Sequence, residues 1–167
     1  MFLVGFMGAG KSSVGLALAN RLGWPFEDLD QRIQAQEKRT IEQIFRESGE
    51  PEFRRLEHAA LRDLLSGLGA SRRVVALGGG AFVQPENAAL LESAGLATVF
   101  LDAPPAELFR RCQQEPVDRP LRKDQEQFHR LYESRRPHYL KAGIHLETAG
   151  ETVESVAACI AQGLGLQ

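Results

Sequence analysis

The chain has 167 residues, of which 43% are hydrophobic and 25% charged, and its net charge is -2. These values are ordinary for a globular protein, so we expect one domain over residues 1–167, and the near-neutral charge excludes a general nucleic-acid binder. Two cysteines without a CxxC spacing argue against a disulfide framework and fit a reducing cytoplasm, while an apolar start that soon reaches glycines predicts neither a signal peptide nor a membrane span.

Short apolar runs alternate with helical patterns along the whole chain. Five strands are predicted at residues 2–5, 25–30, 73–77, 97–102 and 143–148. Helical spacing, caps and prolines predict helices over 11–23, 40–49, 51–65, 85–91, 105–114, 125–136 and 152–164. This alternation predicts an α/β fold in which helices cover both faces of a five-stranded parallel sheet. Ligands in such folds bind beyond the carboxyl ends of the strands.

The first loop, GFMGAGKS, follows a predicted strand and opens a predicted helix. It matches G-x-x-x-x-G-K-[ST] at Gly5, Gly10, Lys11 and Ser12, which in this context predicts a P-loop. Backbone N–H groups would surround phosphate oxygens there, Lys11 would reach the outer phosphates, and Ser12 would bind Mg²⁺. We therefore expect a nucleoside triphosphate with Mg²⁺, which leaves a GTPase switch, a motor and a small-molecule kinase open.

Two aspartates at the end of the second predicted strand are candidates for the reaction centre. Asp28 and Asp30 are two residues apart, so on a strand their side chains would point the same way. One carboxylate could hold the water shell of the metal while the other meets a substrate hydroxyl, although turn or capping roles explain the spacing equally well. Asp102 ends the fourth strand as a Walker-B metal ligand would, but we favour a role as cap for the helix after Pro104.

Arginine supplies most of the positive charge. Sixteen of the twenty basic residues are arginines, whose planar fork suits carboxylates and phosphates. Arg54 and Glu57 lie three residues apart on a predicted helix. That spacing alone favours a surface ion pair; the functional alternative is an arginine that Glu57 holds ready for a ligand carboxylate.

Two further groups of arginines lie near the predicted sixth helix. Arg119 belongs to the charged, proline-containing segment 114–124, which predicts a mobile loop whose arginine could neutralise charge during phosphoryl transfer. Arg135 and Arg136 come just before Pro137, where we expect the helix to end. Both could face solvent, or one of them could face the cleft.

Three consecutive glycines, Gly78, Gly79 and Gly80, end the third predicted strand. Such a run suits a backbone with unusual dihedral angles or a close approach by another group, and no Lys-Ser/Thr pair follows to make a second P-loop. With FLVGFMGAGKSSVG, DLD, FRRLE, LGGG, RPL and SRRPHY in this order, the chain resembles the shikimate kinases over nearly its whole length. The P-loop alone occurs in many families, whereas the joint presence of these motifs is specific.

The resemblance implies a three-layer P-loop kinase of the nucleoside-monophosphate-kinase type, monomeric, with a lid at about residues 112–125. Its reaction would transfer phosphate from ATP to the 3-hydroxyl of shikimate, in aromatic amino-acid biosynthesis, with one Mg²⁺ ion. A related kinase acting on gluconate or a nucleoside monophosphate is the alternative reading of the sequence. A nucleotide-binding module without catalytic activity is a more distant one.

The resemblance also implies a role for each matching residue. The catalytic groups would be Lys11, Asp30 and the lid residue Arg119, while Ser12 would bind Mg²⁺ and Asp28 would lie near its water shell. The residues that contact shikimate would be Asp30, Arg54, Gly78, Gly79, Gly80 and Arg135, with the two arginines on its carboxylate. The residues that contact ATP would be Gly8, Ala9, Gly10, Lys11, Ser12, Ser13, Arg111, Arg119 and Glu151, with Arg110 as the alternative to Arg111 at the adenine.

Overall fold

Five short strands form one parallel sheet in the computed structural model, which describes residues 1–69, 71–114 and 124–166. They are β1 Phe2–Val4, β2 Phe26–Asp28, β3 Val74–Ala76, β4 Thr98–Asp102 and β5 Ile144–Glu147. Their order across the sheet is β2-β3-β1-β4-β5, and every neighbouring pair is parallel. The predicted α/β class with a five-stranded parallel sheet is therefore confirmed.

Helices flank this sheet. Those within the described residues are α1 Lys11–Leu22, α2 Leu29–Glu37, α3 Ile41–Leu68, α4 Pro85–Ser93, α5 Pro105–Gln114, α6 Gln125–Tyr139 and α7 Val153–Gly163. Helix α1 packs against α7 and against strands β1, β2 and β3, while α2 packs on α3, α3 on α4, and α5 on α6. None of these helices is both long enough and apolar enough to cross a membrane.

The central strands are apolar because they are covered on both faces. Phe2 and Leu3 of β1 are fully buried between the neighbouring strands β3 and β4, and Val74 and Val75 of β3 are equally inaccessible. A continuous apolar run, rather than an alternating one, is the pattern expected of such strands. The sheet thereby forms a rigid platform from which loops emerge at its carboxyl edge.

Helix α3 contains a break that the sequence predicts. Thr40 and Gln43 form the expected capping box at its start, with each side chain bound to the backbone N–H of the other. Gly49 then adopts φ 80° and ψ 171°, a conformation outside the helical range that glycine reaches without a steric penalty. Pro51 starts the second half of the helix, which carries Arg54.

Two local predictions are wrong. The second strand ends at Asp28 rather than at residue 30, and residues 29–37, where no helix is predicted, form helix α2, so Asp30 is a helical residue. This helix is hard to predict because it buries only Leu29 and Ile33, too few apolar residues to give a clear period. Helix α6 runs past Pro137 to Tyr139.

The proline costs helix α6 little at that position. Proline removes one backbone N–H and hence one hydrogen bond to the preceding turn. Near the end of the helix the next turn still closes, since the N–H of Leu140 donates to the carbonyl of Arg136 at 3.1 Å. Residues 115–123, with most of the predicted lid and Arg119, lie outside the described residues.

Candidate active site

The P-loop joins β1 to α1 at the carboxyl edge of the sheet. Gly10 is the N-cap of α1 and has φ 81°. Because glycine has no side chain, no side chain caps the first turn, and its N–H groups are left for a ligand. Nζ of Lys11 donates to the carbonyls of Gly5 and Phe6, at 2.9 Å each, across the mouth of the loop. Ser12 and Ser13 follow in the first turn, and both are exposed. This arrangement suits an anion with several oxygens.

Helix α5 supports the P-loop from behind. Gly8 has φ 78°, and a Cβ atom on it would lie 2.5 Å from the carbonyl oxygen of Leu108 and 2.9 Å from Sγ of Cys112. Only glycine permits this approach of the loop backbone to the helix. Ala9, the next residue, is buried. The position of the phosphate loop is thus tied to the helix that precedes residues 115–123.

Asp28 connects the P-loop to helix α2. Its Oδ2 accepts a hydrogen bond from Oγ of Ser12 at 2.6 Å, and its Oδ1 caps α2 by accepting from the N–H groups of Asp30 and Gln31. The capping role of Asp28 is therefore observed at one oxygen, while the other oxygen faces the P-loop serine, and its place near a metal stays a prediction. A hydroxyl and a carboxylate side by side are the hard oxygen donors that Mg²⁺ prefers.

The glycine turn, residues 78–80, lets two charged side chains approach the backbone closely. A Cβ atom on Gly78 would lie 2.5 Å from Oδ1 of Asp30, and one on Gly80 would lie 2.6 Å from Nη1 of Arg54. Their φ angles are not in the left-handed region, so close approach, rather than an unusual dihedral angle, explains these two glycines. Asp30 and Arg54 therefore both lie against this turn.

Arg135 reaches the same turn from helix α6. Its Nη1 lies 3.9 Å from the position of a Cβ on Gly79, and its guanidinium lies 5.8 Å from the centre of the Phe6 ring in the P-loop. The hydroxyl of buried Tyr139, on the same helix, donates to the carbonyl of Gly79. Burial raises the pKa of Tyr139 to about 12, so this hydroxyl keeps its proton and stays a donor. Of Arg135 and Arg136, it is Arg135 that faces the cleft.

Glu57 holds Arg54 from inside the protein. Its side chain is 0% exposed, and its Oε2 accepts from Nη1 of Arg54 at 2.8 Å. The surface ion pair that the spacing favours is therefore wrong, and a partly exposed arginine held by a buried glutamate is the observed arrangement. Burial raises the pKa of Glu57 to about 7, against the opposing effect of Arg54 and with a further rise from Asp30. Arg54 also contacts the exposed Glu50, at 3.2 Å.

The opposite end of the site involves the loop after β5. Nη2 of Arg111 donates to the carbonyl of Thr148 at 3.1 Å and pairs with Glu107, whereas Arg110 is exposed. Glu151, three residues further on, accepts a hydrogen bond from Oγ of Ser155. This geometry puts Arg111 beside the loop that carries Glu151, which the resemblance in sequence assigns to ATP. Contact with the base stays a prediction for both Arg111 and Glu151.

Asp102 does not cap the helix that follows Pro104. Its buried carboxylate accepts hydrogen bonds from Tyr132 and Arg136 and lies beside His145, so a cap for the following helix is the wrong interpretation. Sequence reasoning also missed Tyr139 as the residue that binds Gly79. No local signal could reveal either contact, because each joins segments distant in the chain.

The fold and the site together define a class of protein. A parallel sheet with a P-loop after its first strand, and with an acidic and two basic side chains converging on a second glycine turn, is the architecture of a P-loop phosphotransferase with its own acceptor pocket. The motif locates the phosphate donor. The three converging side chains suit an acceptor that carries both a hydroxyl and an acid group.

Comparison with known proteins identifies the family. The family model for shikimate kinase matches residues 7–164. A shikimate kinase from Geobacter metallireducens is 44% identical over 161 residues, which cover 95% of this chain and 87% of the relative. The chain therefore belongs to the shikimate kinase family.

Solved structures agree with this assignment. The crystal structure of shikimate kinase from Aquifex aeolicus matches with a TM-score of 0.86 at 36% identity, covering 98% of this chain and 95% of that one. Shikimate kinase from Acinetobacter baumannii, in complex with shikimate, matches with a TM-score of 0.87 at 32% identity, covering 98% and 90%. Nearly the whole fold is thus shared with these enzymes.

Proposed function

We propose that the protein is a shikimate kinase, which transfers the γ-phosphoryl group of ATP to the 3-hydroxyl of shikimate. The observation that carries the proposal is the convergence of Asp30, Arg54 and Arg135 on the glycine turn beside the P-loop. Two guanidinium groups suit a carboxylate, and an aspartate suits a hydroxyl. Shikimate presents both groups on one small ring.

Each partner in the reaction then has a defined place. The oxygen of the 3-hydroxyl attacks the γ-phosphorus, while the bond from that phosphorus to the oxygen of the β-phosphate breaks and ADP leaves. Asp30 orients the attacking hydroxyl or accepts its proton, and Lys11 offsets charge on the outer phosphates. Arg119 lies outside the described residues, so its role in neutralising charge stays a prediction from the sequence.

The carboxylate clamp, Arg54 and Arg135, holds the acceptor ring in line with the donor. Catalysis of this kind depends on positioning and on charge stabilisation more than on covalent chemistry. The two guanidinium groups come from α3 and α6, on either side of the glycine turn. Gly79 between them leaves room for the ring and presents backbone to it.

We also propose one Mg²⁺ ion, bound with ATP at Ser12 and with Asp28 near its water shell. Support comes from the 2.6 Å contact between these two oxygen donors at the P-loop. Bound there, Mg²⁺ would stabilise the charge that develops on the transferring phosphoryl group. We further propose that the protein is a monomer, as the resemblance to the family implies.

The direct test is ADP release by the purified protein with ATP and Mg²⁺, to which shikimate, gluconate or AMP is added in turn. We expect turnover with shikimate to exceed that with either alternative by at least about 100-fold, because neither the open chain of gluconate nor the larger AMP holds a hydroxyl and an acid group in the positions that one small ring fixes. The variant Asp30→Asn serves as the matched control and should lose most of the shikimate-dependent activity. Comparable rates with gluconate or AMP would overturn the proposed acceptor, and no stimulation by any of them would favour a nucleotide-binding module.

A further inference from the structure

Asp102 is a buried carboxylate that the proposed reaction does not use. Only 2% of its side chain is exposed, at the carboxyl end of β4. Its Oδ1 accepts from the hydroxyl of Tyr132 at 2.7 Å, and its Oδ2 lies 3.0 Å from Nη2 and 3.1 Å from Nε of Arg136 and 3.1 Å from Nε2 of His145. We call these four residues the Asp102 cluster. A buried carboxylate persists only where such donors surround it, and each donor is then fixed in direction.

The Asp102 cluster fixes helix α6 to the sheet. Tyr132 and Arg136 are four residues apart, on one face of α6, and both point to the same carboxylate. Three residues after Arg136, the hydroxyl of Tyr139 binds the carbonyl of Gly79. The helix is therefore attached by polar contacts at two places, the end of β4 and the glycine turn.

Arg135, half of the carboxylate clamp, lies within the stretch 132–139 that these two attachments hold. The hydroxyl of Tyr139 also interacts with the Arg135 guanidinium, while Tyr132 packs edge-on against Phe6 with ring centres 5.6 Å apart. Apolar packing is non-directional and permits small rotations of a helix. A rotation of about 10° would carry the end of a long arginine side chain by about 1 Å, given the dimensions of a helix with its side chains. Displacements of this size are enough to weaken binding of a small anion.

We propose that Asp102 is a positioning residue for the carboxylate clamp: through Tyr132 and Arg136 it sets the rotation of helix α6 and thereby the place of the Arg135 guanidinium. The inference rests on the proposed binding of the shikimate carboxylate by Arg135. A metal site formed by Asp102, His145 and Glu147, whose ligand atoms lie close together, fits less well. The guanidinium of Arg136 already occupies the carboxylate oxygen that such a cation would need.

A double-mutant cycle tests the proposal, with the dissociation constant of shikimate measured by calorimetry. The four proteins are the wild type, Asp102→Asn, Arg135→Met and the double variant. In Asp102→Asn an amide N–H₂ replaces one acceptor oxygen and faces the donors of Arg136. We expect Asp102→Asn to weaken shikimate binding about tenfold in the wild-type background and less than twofold when Arg135 is already absent.

A second variant keeps the proposal testable if Asp102→Asn does not fold. Arg136→Met removes the same contact from the helix side, where 35% of the Arg136 side chain is exposed, and should weaken shikimate binding in the same direction. Arg136→Lys, which keeps the charge, should restore part of the affinity. The matched control is Glu147→Gln, whose carboxylate is 65% exposed and lies 3.5 Å from the same Nε2 of His145; this variant should bind shikimate with the affinity of the wild type.

The possible results separate the inference from the proposed function. If Asp102→Asn weakens binding by the same factor with and without Arg135, the residue supports the fold in general and the positioning role is overturned. The same conclusion follows if both Asp102→Asn and Arg136→Met bind shikimate within twofold of the wild type. If instead Arg135→Met binds shikimate like the wild type, the clamp itself fails, whatever the Asp102 variants do.

Discussion

Gly79 is the residue at which the acceptor pocket can be probed with the least disturbance of the protein. A Cβ atom there would meet nothing nearer than the backbone N of Met7 at 3.6 Å, an ordinary contact, and would point between the P-loop and Arg135. Substitution at Gly78 or Gly80 would instead push Asp30 or Arg54 away. Gly79→Ala therefore fills ligand space without forcing the chain to move.

We expect Gly79→Ala to raise the KM for shikimate about tenfold or more while the KM for ATP changes less than threefold, because the methyl group occupies acceptor volume alone. Steady-state kinetics with each substrate varied in turn provides the measurement. Gly67→Ala, in α3 with nothing within 4 Å of the added carbon, is the matched control and should leave both constants unchanged. A larger effect on ATP than on shikimate would place the turn outside the acceptor pocket.

Glu57 should make the stability of the protein depend on pH. Burial raises its pKa to about 7, so the folded protein binds this proton more tightly than the unfolded chain does. The stabilisation is then complete below the carboxyl pKa of the unfolded chain and is lost as the pH rises towards 7. Ionised Glu57 still pairs with Arg54, but one oxygen, Oε1, is buried and accepts no hydrogen bond within the described residues.

The variant Glu57→Gln isolates this effect, since glutamine keeps an oxygen for Arg54 but does not titrate. Between pH 5 and pH 8 the free energy of unfolding of the wild type should fall, relative to that of Glu57→Gln, by about 2 kcal/mol. Urea denaturation of both proteins at pH 5 and at pH 8 gives the free energies of unfolding that are compared. Parallel pH profiles for the two proteins would show that Glu57 is ionised throughout this range.

At the scale of whole elements, the carboxylate clamp joins two helices that are far apart in the chain. Arg54 comes from the second half of α3, after the break at Gly49, and Arg135 comes from the last turns of α6. Lysine at either position keeps the positive charge but loses the planar fork that binds two carboxylate oxygens at once. Replacement of either arginine by lysine should therefore weaken the clamp, even though the positive charge is kept.

For Arg54→Lys and Arg135→Lys we expect the KM for shikimate to rise about tenfold to 100-fold, with a smaller change for ATP, because each loses a bidentate contact to the acceptor alone. Arg55→Lys, next to Arg54 but paired with Glu52 on the surface, is the control and should behave as the wild type. An equal rise in the KM for shikimate and the KM for ATP would argue against the clamp.

How far the sequence predicts this protein depends on whether a feature is local. The P-loop and the capping box at Thr40 are made of neighbouring residues, so both could be predicted with their bonding partners. Helix α2 could not, because a few buried side chains give no period, and without it Asp28 and Asp30 were placed on one strand. The partners of Asp102 come from α6 and β5, and burial decides which of several charged neighbours it binds. Tertiary packing determines these partners, and a local sequence pattern does not reveal it.

At the scale of the whole molecule, an ionic network ties the edge of the sheet to the helices that carry the acceptor site. Glu27 of edge strand β2 pairs with Arg32 of α2 and with Arg73 just before β3, and Arg32 also pairs with Asp63 of α3. The Glu27 side chain is 19% exposed, so its charge is largely shielded from water. Removing that charge would leave two guanidinium groups with fewer partners.

Glu27→Gln should lower the free energy of unfolding by about 1 to 3 kcal/mol, the usual effect of removing one member of a partly buried charged network. The surface pair of Arg55 and Glu52 offers the matched control, and Glu52→Gln should cost less than about 0.5 kcal/mol. Both values come from urea denaturation at neutral pH. Similar small losses for the two variants would mean that the network at β2 is as weak as an ordinary surface ion pair.

The order of the strands also has a consequence for synthesis on the ribosome. Phe2 of β1 pairs with Val75 of β3 on one side and with Thr98 of β4 on the other, so both neighbours of this strand are translated long after it. Until residues 74–76 have been synthesised, the apolar strand β1 has two open edges, and the edge that pairs with β4 stays open until residue 98. Nascent chains that stop before β4 are thus the ones most exposed to aggregation and to capture by chaperones.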